Sequence, residues 1–261
     1  MNLSIYQVDA FSNKLFGGNP AAIVPLEKWI PEELMQAIAA ENNLAETAYF
    51  VPLDDIYFIR WFTPKAEVKL CGHATLASAH VLFEHLGFAV NRVTFDSKSG
   101  LLQVEKKEDN VLELDFPSAE IEAVEVGSAF LDSLNILPKE TYKALEDYLF
   151  VFGNEPEIRN LEVDFNKLKK VPCRGLICTA EGMEVDFVSR FFAPAFGIDE
   201  DPVTGSAHTK LIPYWSEKLG KTEMEALQLS ERKGHLFCQY RGDRVKIAGQ
   251  AVTYLQGQIQ V

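Results

Sequence analysis

The chemistry legible in this chain centres on Glu46, in the run ENNLAETAYFVP. Ala45 to Val51 reads as a strand, and in a strand Glu46, Ala48 and Phe50 point to the same side. With Phe50 turned to the core, Glu46 sits at a core-facing edge, where loss of water disfavours the charged form. A carboxyl so placed can take and return a proton near neutral pH; the other reading is an edge glutamate that swings to solvent. The next candidate is a helix start at Gly72-His73, which offers free backbone N–H groups and the positive end of a dipole to a carboxylate. Asn19, between Gly18 and Pro20 in a turn-rich loop, either grips a polar ligand with its amide or only links two strands. Of four cysteines, Cys71 has the suggestive address. Cys173, Cys178 and Cys238 have the spacing of neither a Cys-x-x-Cys pair nor a zinc site and read as small buried thiols.

The elements that position these groups are betrayed by a repeat. Leu70 to Gly87, LCGHATLASAHVLFEHLG, returns as Val203 to Gly220, VTGSAHTKLIPYWSEKLG. Each copy opens on a small residue and a glycine and closes on Leu-Gly, the usual left-handed exit of a helix. Upstream, FIRWFTP at Phe58 matches VSRFFAP at Val188, and downstream Gly100, Leu102 and Val111 match Gly234, Leu236 and Val245. A strand, a loop, a helix and a hairpin therefore recur in order, which predicts two domains. The helix from Ala74 to Leu86 is apolar nearly all round, so it should be buried within its own sheet. Pro117-Ser118-Ala119 and an acidic stretch mark the boundary, giving domains 1–117 and 118–261, with the last ten or so residues free to cross back. Short helices are expected at Ala129–Leu134 and Pro138–Tyr142. Pro213 should bend the second helix or delay its start.

With 38 acidic and 25 basic residues and a net charge of −13, the chain repels phosphate backbones and anionic lipid, so nucleic acid and membrane surfaces are not expected partners. No apolar run approaches the roughly 20 residues of a membrane span. MNLSIYQVDAF lacks the regions of a signal peptide, and a cytoplasmic location is expected.

The strings VDAF, FGGNPAAIV, ENNLAETAYFV, RWFTP, LCGHATLA and EDPVTGSAHTKLIPYW together resemble the PhzF family of phenazine biosynthesis-like isomerases, over about Val8 to Tyr254. The resemblance implies the α+β, diaminopimelate epimerase-like fold: two pseudo-symmetric domains, each a β-barrel wrapped around a central helix, with the active site in the cleft between them. It places the acid/base glutamate on Glu46, a ligand-orienting or proton-relaying histidine on His73, and an acid that holds a substrate amine or hydroxyl, or tunes His73, on Asp201. Gly72, Gly205 and Ser206, with Asn19, become candidates for substrate binding. No metal and no organic cofactor is expected, the partner is a small carboxylate-bearing metabolite, and the family suggests a homodimer. Diaminopimelate epimerase is similar in fold and opposes two cysteines. Here Cys71 faces Thr204 in the comparison of the two copies, and a hydroxyl is no substitute for a thiol as a base. A one-carboxyl proton shuttle is thus the expected mechanism, with an amino-acid epimerase or a non-catalytic binding homologue as the alternatives.

Overall fold

The computed structural model describes residues 1–261. The chain divides into two units, Met1–Phe116 with Ile247–Val261, and Pro117–Lys246.

In the first unit the strands are β1 (Asn2–Ala10), β2 (Asn19–Pro25), β3 (Glu46–Leu53), β4 (Ile56–Phe62), β5 (Glu67–Val68), β6 (Arg92–Ser97), β7 (Gly100–Lys106) and β8 (Leu112–Pro117), with helices α1 (Glu32–Asn42) and α2 (Gly72–His85). β1 and β2 pair antiparallel, β2 and β3 parallel, β3 and β4 antiparallel, β4 and β6 parallel, and β6, β7 and β8 form an antiparallel meander. Strands from both ends of this order, β1, β2 and β3 and also β7, touch α2. The helix carries apolar residues on every side and is buried from His73 to Ala79 and again at Val81 and Leu82. Its two buried hydroxyls are satisfied within the helix: Thr75 donates to the Cys71 carbonyl at 2.6 Å and Ser78 to that of Ala74 at 2.7 Å. Gly87 leaves the helix with φ +67°.

The second unit holds β9 (Glu122–Ala123), β10 (Glu140–Ala144), β11 (Asp147–Val151), β12 (Gly175–Glu181), β13 (Phe187–Phe192), β14 (Glu223–Gln228) and β15 (Gly234–Tyr240). Its helices are α3 (Ser128–Leu131), α4 (Glu155–Arg159), α5 (Phe165–Leu168) and α6 (Gly205–Leu219). β10 and β11 are antiparallel, β11 and β12 parallel, β12 and β13 antiparallel, β13 and β14 parallel, β14 and β15 antiparallel. This repeats, pair for pair, the order from β1 to β7, so the sequence repeat is the trace of a repeated topology. The copies share details as well. Arg60 lies 5.1 Å from the ring of Phe62 and Arg190 lies 4.9 Å from that of Phe192, at the same place on β4 and β13.

Two more strands follow, β16 (Arg244–Gly249) and β17 (Ala251–Gln260). β17 runs antiparallel to β1 from Ala251 opposite Ala10 to Gln260 opposite Asn2. Because this pairing uses the whole of β17, the chain has to return before Ala251, and the returning segment starts at Ile247, ahead of the last ten or so residues.

Two local expectations are corrected. Pro138–Tyr142 is not helical: Glu140–Ala144 is β10, in which β-branched Thr141 and aromatic Tyr142 suit a pleated edge. Pro213 does not delay α6, which begins at Gly205. The proline has no N–H for the Thr209 carbonyl, and that acceptor is taken by the Ala119 N–H at 3.1 Å, so this carbonyl keeps a partner. No helix is long and apolar enough to cross a membrane.

Candidate active site

Three elements of the first unit bring their first residues together. The parallel pairing of β2 and β3 sets Ala21 opposite Glu46, so the starts of both strands lie at one end of the sheet, where α2 also starts. Asn19 opens β2 and is fully buried. Its delivery depends on Gly18, whose φ is +63° and where a Cβ would stand 2.1 Å from the Ala10 carbonyl oxygen, a conformation and a space open only to glycine.

His73, second residue of α2, is the hub. Its Nδ1 lies 3.2 Å from Nδ2 of Asn19 and 3.5 Å from Sγ of Cys71. Its Nε2 lies 3.2 Å from Oε2 of Glu46, with side-chain exposures of 6% and 12%. An amide nitrogen can only donate, so in the neutral ring Nδ1 accepts from Asn19 and the proton sits on Nε2, towards Glu46. The contact is within ion-pair distance but off the line of a hydrogen bond, and neither of the two facing atoms has a hydrogen-bond partner. A proton donor and acceptor are thus held close in a dry site without being locked to each other.

Electrostatics follow from burial. Burial opposes charge on the His73 ring, yet Cys71 and Glu46 beside it raise its pKa well above the ordinary value. Burial, with help from Glu46, pushes the Cys71 thiol up to about 11. That thiol stays protonated near neutral pH, so the carboxylate of Glu46 is the charge that favours the imidazolium. Elsewhere burial alone dominates and drives His80 and His208 down to about 4. In a proton-detected titration of the ring resonances from pH 5 to 9, His80 and His208 are expected to stay neutral throughout, and His73 alone of the three to carry charge and lose it as pH rises. The linkage has a definite sign. A raised folded-state pKa stabilises the fold below the ordinary histidine range, and that contribution is lost as pH rises through the folded value. His73 titrating at or below pH 6 would contradict the assignment.

Glu46, Cys71 and His73 offer ligand atoms within 4.8 Å of one another, a spacing compatible with a metal ion. The raised pKa of Cys71 works against this, because a metal would have to displace the thiol proton.

In the second unit α6 starts at the equivalent place, with Thr204 where Cys71 stands and Ser206 where His73 stands. Asp201 accepts from Thr204 Oγ1 at 2.5 Å, and Gln228 links both by accepting from the Thr204 N–H at 2.8 Å and donating to the Asp201 carbonyl at 2.7 Å. Gly205 is buried, and Ser206 Oγ accepts from Arg174 Nη2 at 3.1 Å. His208 donates from Nδ1 to the Thr204 carbonyl at 2.9 Å, the bond that Thr75 makes in the first copy. The structure therefore joins Glu46, His73 and Asn19, with Cys71 and Gly72 beside them, in one unit. Asp201, Gly205 and Ser206 cluster at the helix start of the other. Arg174, Asp147 and Lys210 also meet here, and the sequence repeat carries no mark of them, because the equivalent strand starts share almost no residues.

Comparison with known proteins agrees with this fold. A family model described as phenazine biosynthesis-like protein matches residues 8–257. The chain is 49% identical over 261 residues to an uncharacterized isomerase of Pseudomonas aeruginosa, spanning 100% of both chains. It is similar to the crystal structure of a PhzF family protein from Enterococcus faecalis, with a TM-score of 0.97 and 45% identity over 100% of each chain. It is also similar to a PhzC/PhzF protein from Clostridium difficile, with a TM-score of 0.93 and 44% identity over 99% of this chain and 100% of that one.

Proposed function

Since the chain belongs to the phenazine biosynthesis-like (PhzF) family, in the diaminopimelate epimerase-like superfamily, we propose that it is an isomerase that moves a proton between carbons of a small carboxylate-bearing metabolite, by acid/base catalysis without metal or organic cofactor. The observation that carries the reading is the pairing of Glu46 with His73 at 3.2 Å in a nearly dry site.

In this reading Glu46 takes a proton from a carbon made acidic by a neighbouring carbonyl or conjugated system. It then returns the proton to another carbon on the same face of the substrate. His73 steadies the carboxylate through Nε2 and relays its proton, and Asn19 fixes which ring nitrogen faces Glu46. The amide of Gly72 is the candidate donor to a substrate carboxylate or enolate in the first unit, and the amide of Gly205 with the hydroxyl of Ser206 is the candidate donor pair of the second. Asp201, held by Thr204, receives a substrate amine or hydroxyl. A racemase with two opposed thiols fits less well: Thr204 carries a hydroxyl, and Cys71 keeps its proton up to about pH 11.

The test is incubation in heavy water with a panel of amino and hydroxy acids, followed by mass spectrometry. Deuterium is expected at carbon in one member of the panel only when the protein is present. Uptake without any positional change in the product would turn the assignment to an epimerase, and a protein that binds a panel member but never exchanges its carbon-bound hydrogen would refute an acid/base enzyme.

A further inference from the structure

Next to the places that Asn19, Glu46 and His73 hold in the first unit, the second carries a set of different character: Asp147 pairs with Gly175, the counterpart of Glu46. Asp147 opens β11, Arg174 immediately precedes β12, and Ser206 is the second residue of α6. Asp147 is 1% exposed. It accepts from Arg174 Nε at 2.7 Å and also from Arg174 Nη2, while Lys210 Nζ reaches it at 3.0 Å. Arg174 Nη2 donates to Ser206 Oγ as well, its guanidinium lies 5.4 Å from the ring centre of Phe191, and Lys210 Nζ donates to the Ser206 carbonyl at 2.9 Å. Two cations thus meet one buried carboxylate. The other acid that acts on Lys210 is Glu146, which is exposed and screened by water.

An arginine placed only to neutralise Asp147 would be redundant, because Lys210 already does so from a side chain that is 6% exposed. Arg174 differs in being 32% exposed. Its bonds to Asp147 and Ser206 run through Nε and Nη2, which leaves the two N–H groups of Nη1 for another acceptor. The Ser206 hydroxyl accepts from Arg174 and keeps its own proton to donate. Donors with surplus positive charge are what a carboxylate requires.

We propose that Arg174, braced by Asp147 and Lys210, is a substrate-binding residue that takes a carboxylate of the substrate together with the Ser206 hydroxyl. This rests on the reading of Ser206 as a substrate contact. The corresponding ends of the two units then differ in task, the first carrying a proton and the second holding a charge.

The test titrates malonate into the isotopically labelled full chain, with malonamide and inorganic phosphate as comparisons, and reads the Arg174 Nε and the Ser206 amide by nuclear magnetic resonance. Malonate is expected to move both signals and malonamide neither. Arg174→Met, which leaves Asp147 its lysine, should weaken malonate about 10- to 100-fold, the scale of a charge-assisted bond. Arg174→Lys, which keeps the charge but loses the fork, should fall between and guards against a misfolded methionine variant. Malonate binding unchanged within about twofold in both folded variants would overturn the proposal. So would phosphate binding about tenfold tighter than malonate, or shifts confined to Gly72 and His73. Deuterium exchange is measured separately on the same samples: exchange without malonate shifts at Arg174 sinks this inference alone, and shifts without exchange sink the isomerase reading alone.

Discussion

Glu46→Gln is expected to lower the rate of deuterium uptake at carbon by about 10²- to 10⁴-fold, the usual worth of a positioned general acid/base, while the thermal unfolding midpoint stays near that of the parent. Glutamine preserves the volume and still offers an oxygen to Nε2 of His73, so the packing around the start of β3 has no reason to change. What it loses is the capacity to accept and return a proton. A second readout separates this role from a structural one. Without the carboxylate, burial acts on the His73 ring with only Cys71 left to oppose it, so its titration should move downward. A variant that exchanges protons within about tenfold of the parent, or one in which His73 titrates as before, would remove Glu46 from the centre of the mechanism.

Asp147→Asn should be the most damaging single change to the fold at neutral pH. It leaves Arg174 and Lys210 as two cations with an amide between them. Removing one member of a buried ion pair costs about 3 to 5 kcal/mol because the survivor stays buried and charged. Arg174 can relax towards water, whereas Lys210, at 6% exposure, cannot. Burial already lowers the Lys210 pKa against the pull of Asp147, and with Asp147 gone it should fall further. A depressed folded-state pKa means stability that is present above the ordinary lysine value and lost as pH falls towards the folded one. The deficit of the variant, measured by urea unfolding, should therefore shrink as pH is raised from 7 towards 10. A deficit below about 1 kcal/mol at pH 7, or one independent of pH, would show that the pair is not the support described here.

The central helix of each unit was legible because its start is encoded in a short, repeated signature. α2 begins at Gly72 and α6 at Gly205, where the Cys-Gly and Thr-Gly pairs put them, and Gly87 and Gly220 both leave with positive φ. Glu46 was legible as the start of a strand, but not its side, because β3 is buried on both faces from Thr47 to Val51. Its meeting with His73 was not, because that distance depends on β2 and β3 running parallel, and parallel pairing leaves no local mark comparable to a hairpin turn. The same limit hid Asp147, Arg174 and Lys210. Here ENNLAETAYF and PCRGLICTA occupy equivalent places with almost no shared residues, so only the topology reveals that Arg174 lies beside the counterpart of Glu46. Pro138–Tyr142 misled because its neighbours, β9 and β11, are what make it a strand, and propensity over five residues carries little weight against such pairing.

The long antiparallel match of β1 with β17 also has a bearing on how the protein is made. β1 emerges from the ribosome some 240 residues before its partner, a wait of roughly 10 to 50 s at ordinary translation speeds. During that time the unit that carries Glu46 and His73 has an unpaired strand edge, whereas Pro117–Lys246 can close as soon as it is complete. The half that does the chemistry is thus the first to be synthesised and the last to be finished, and in that interval it is the half with most need of a chaperone.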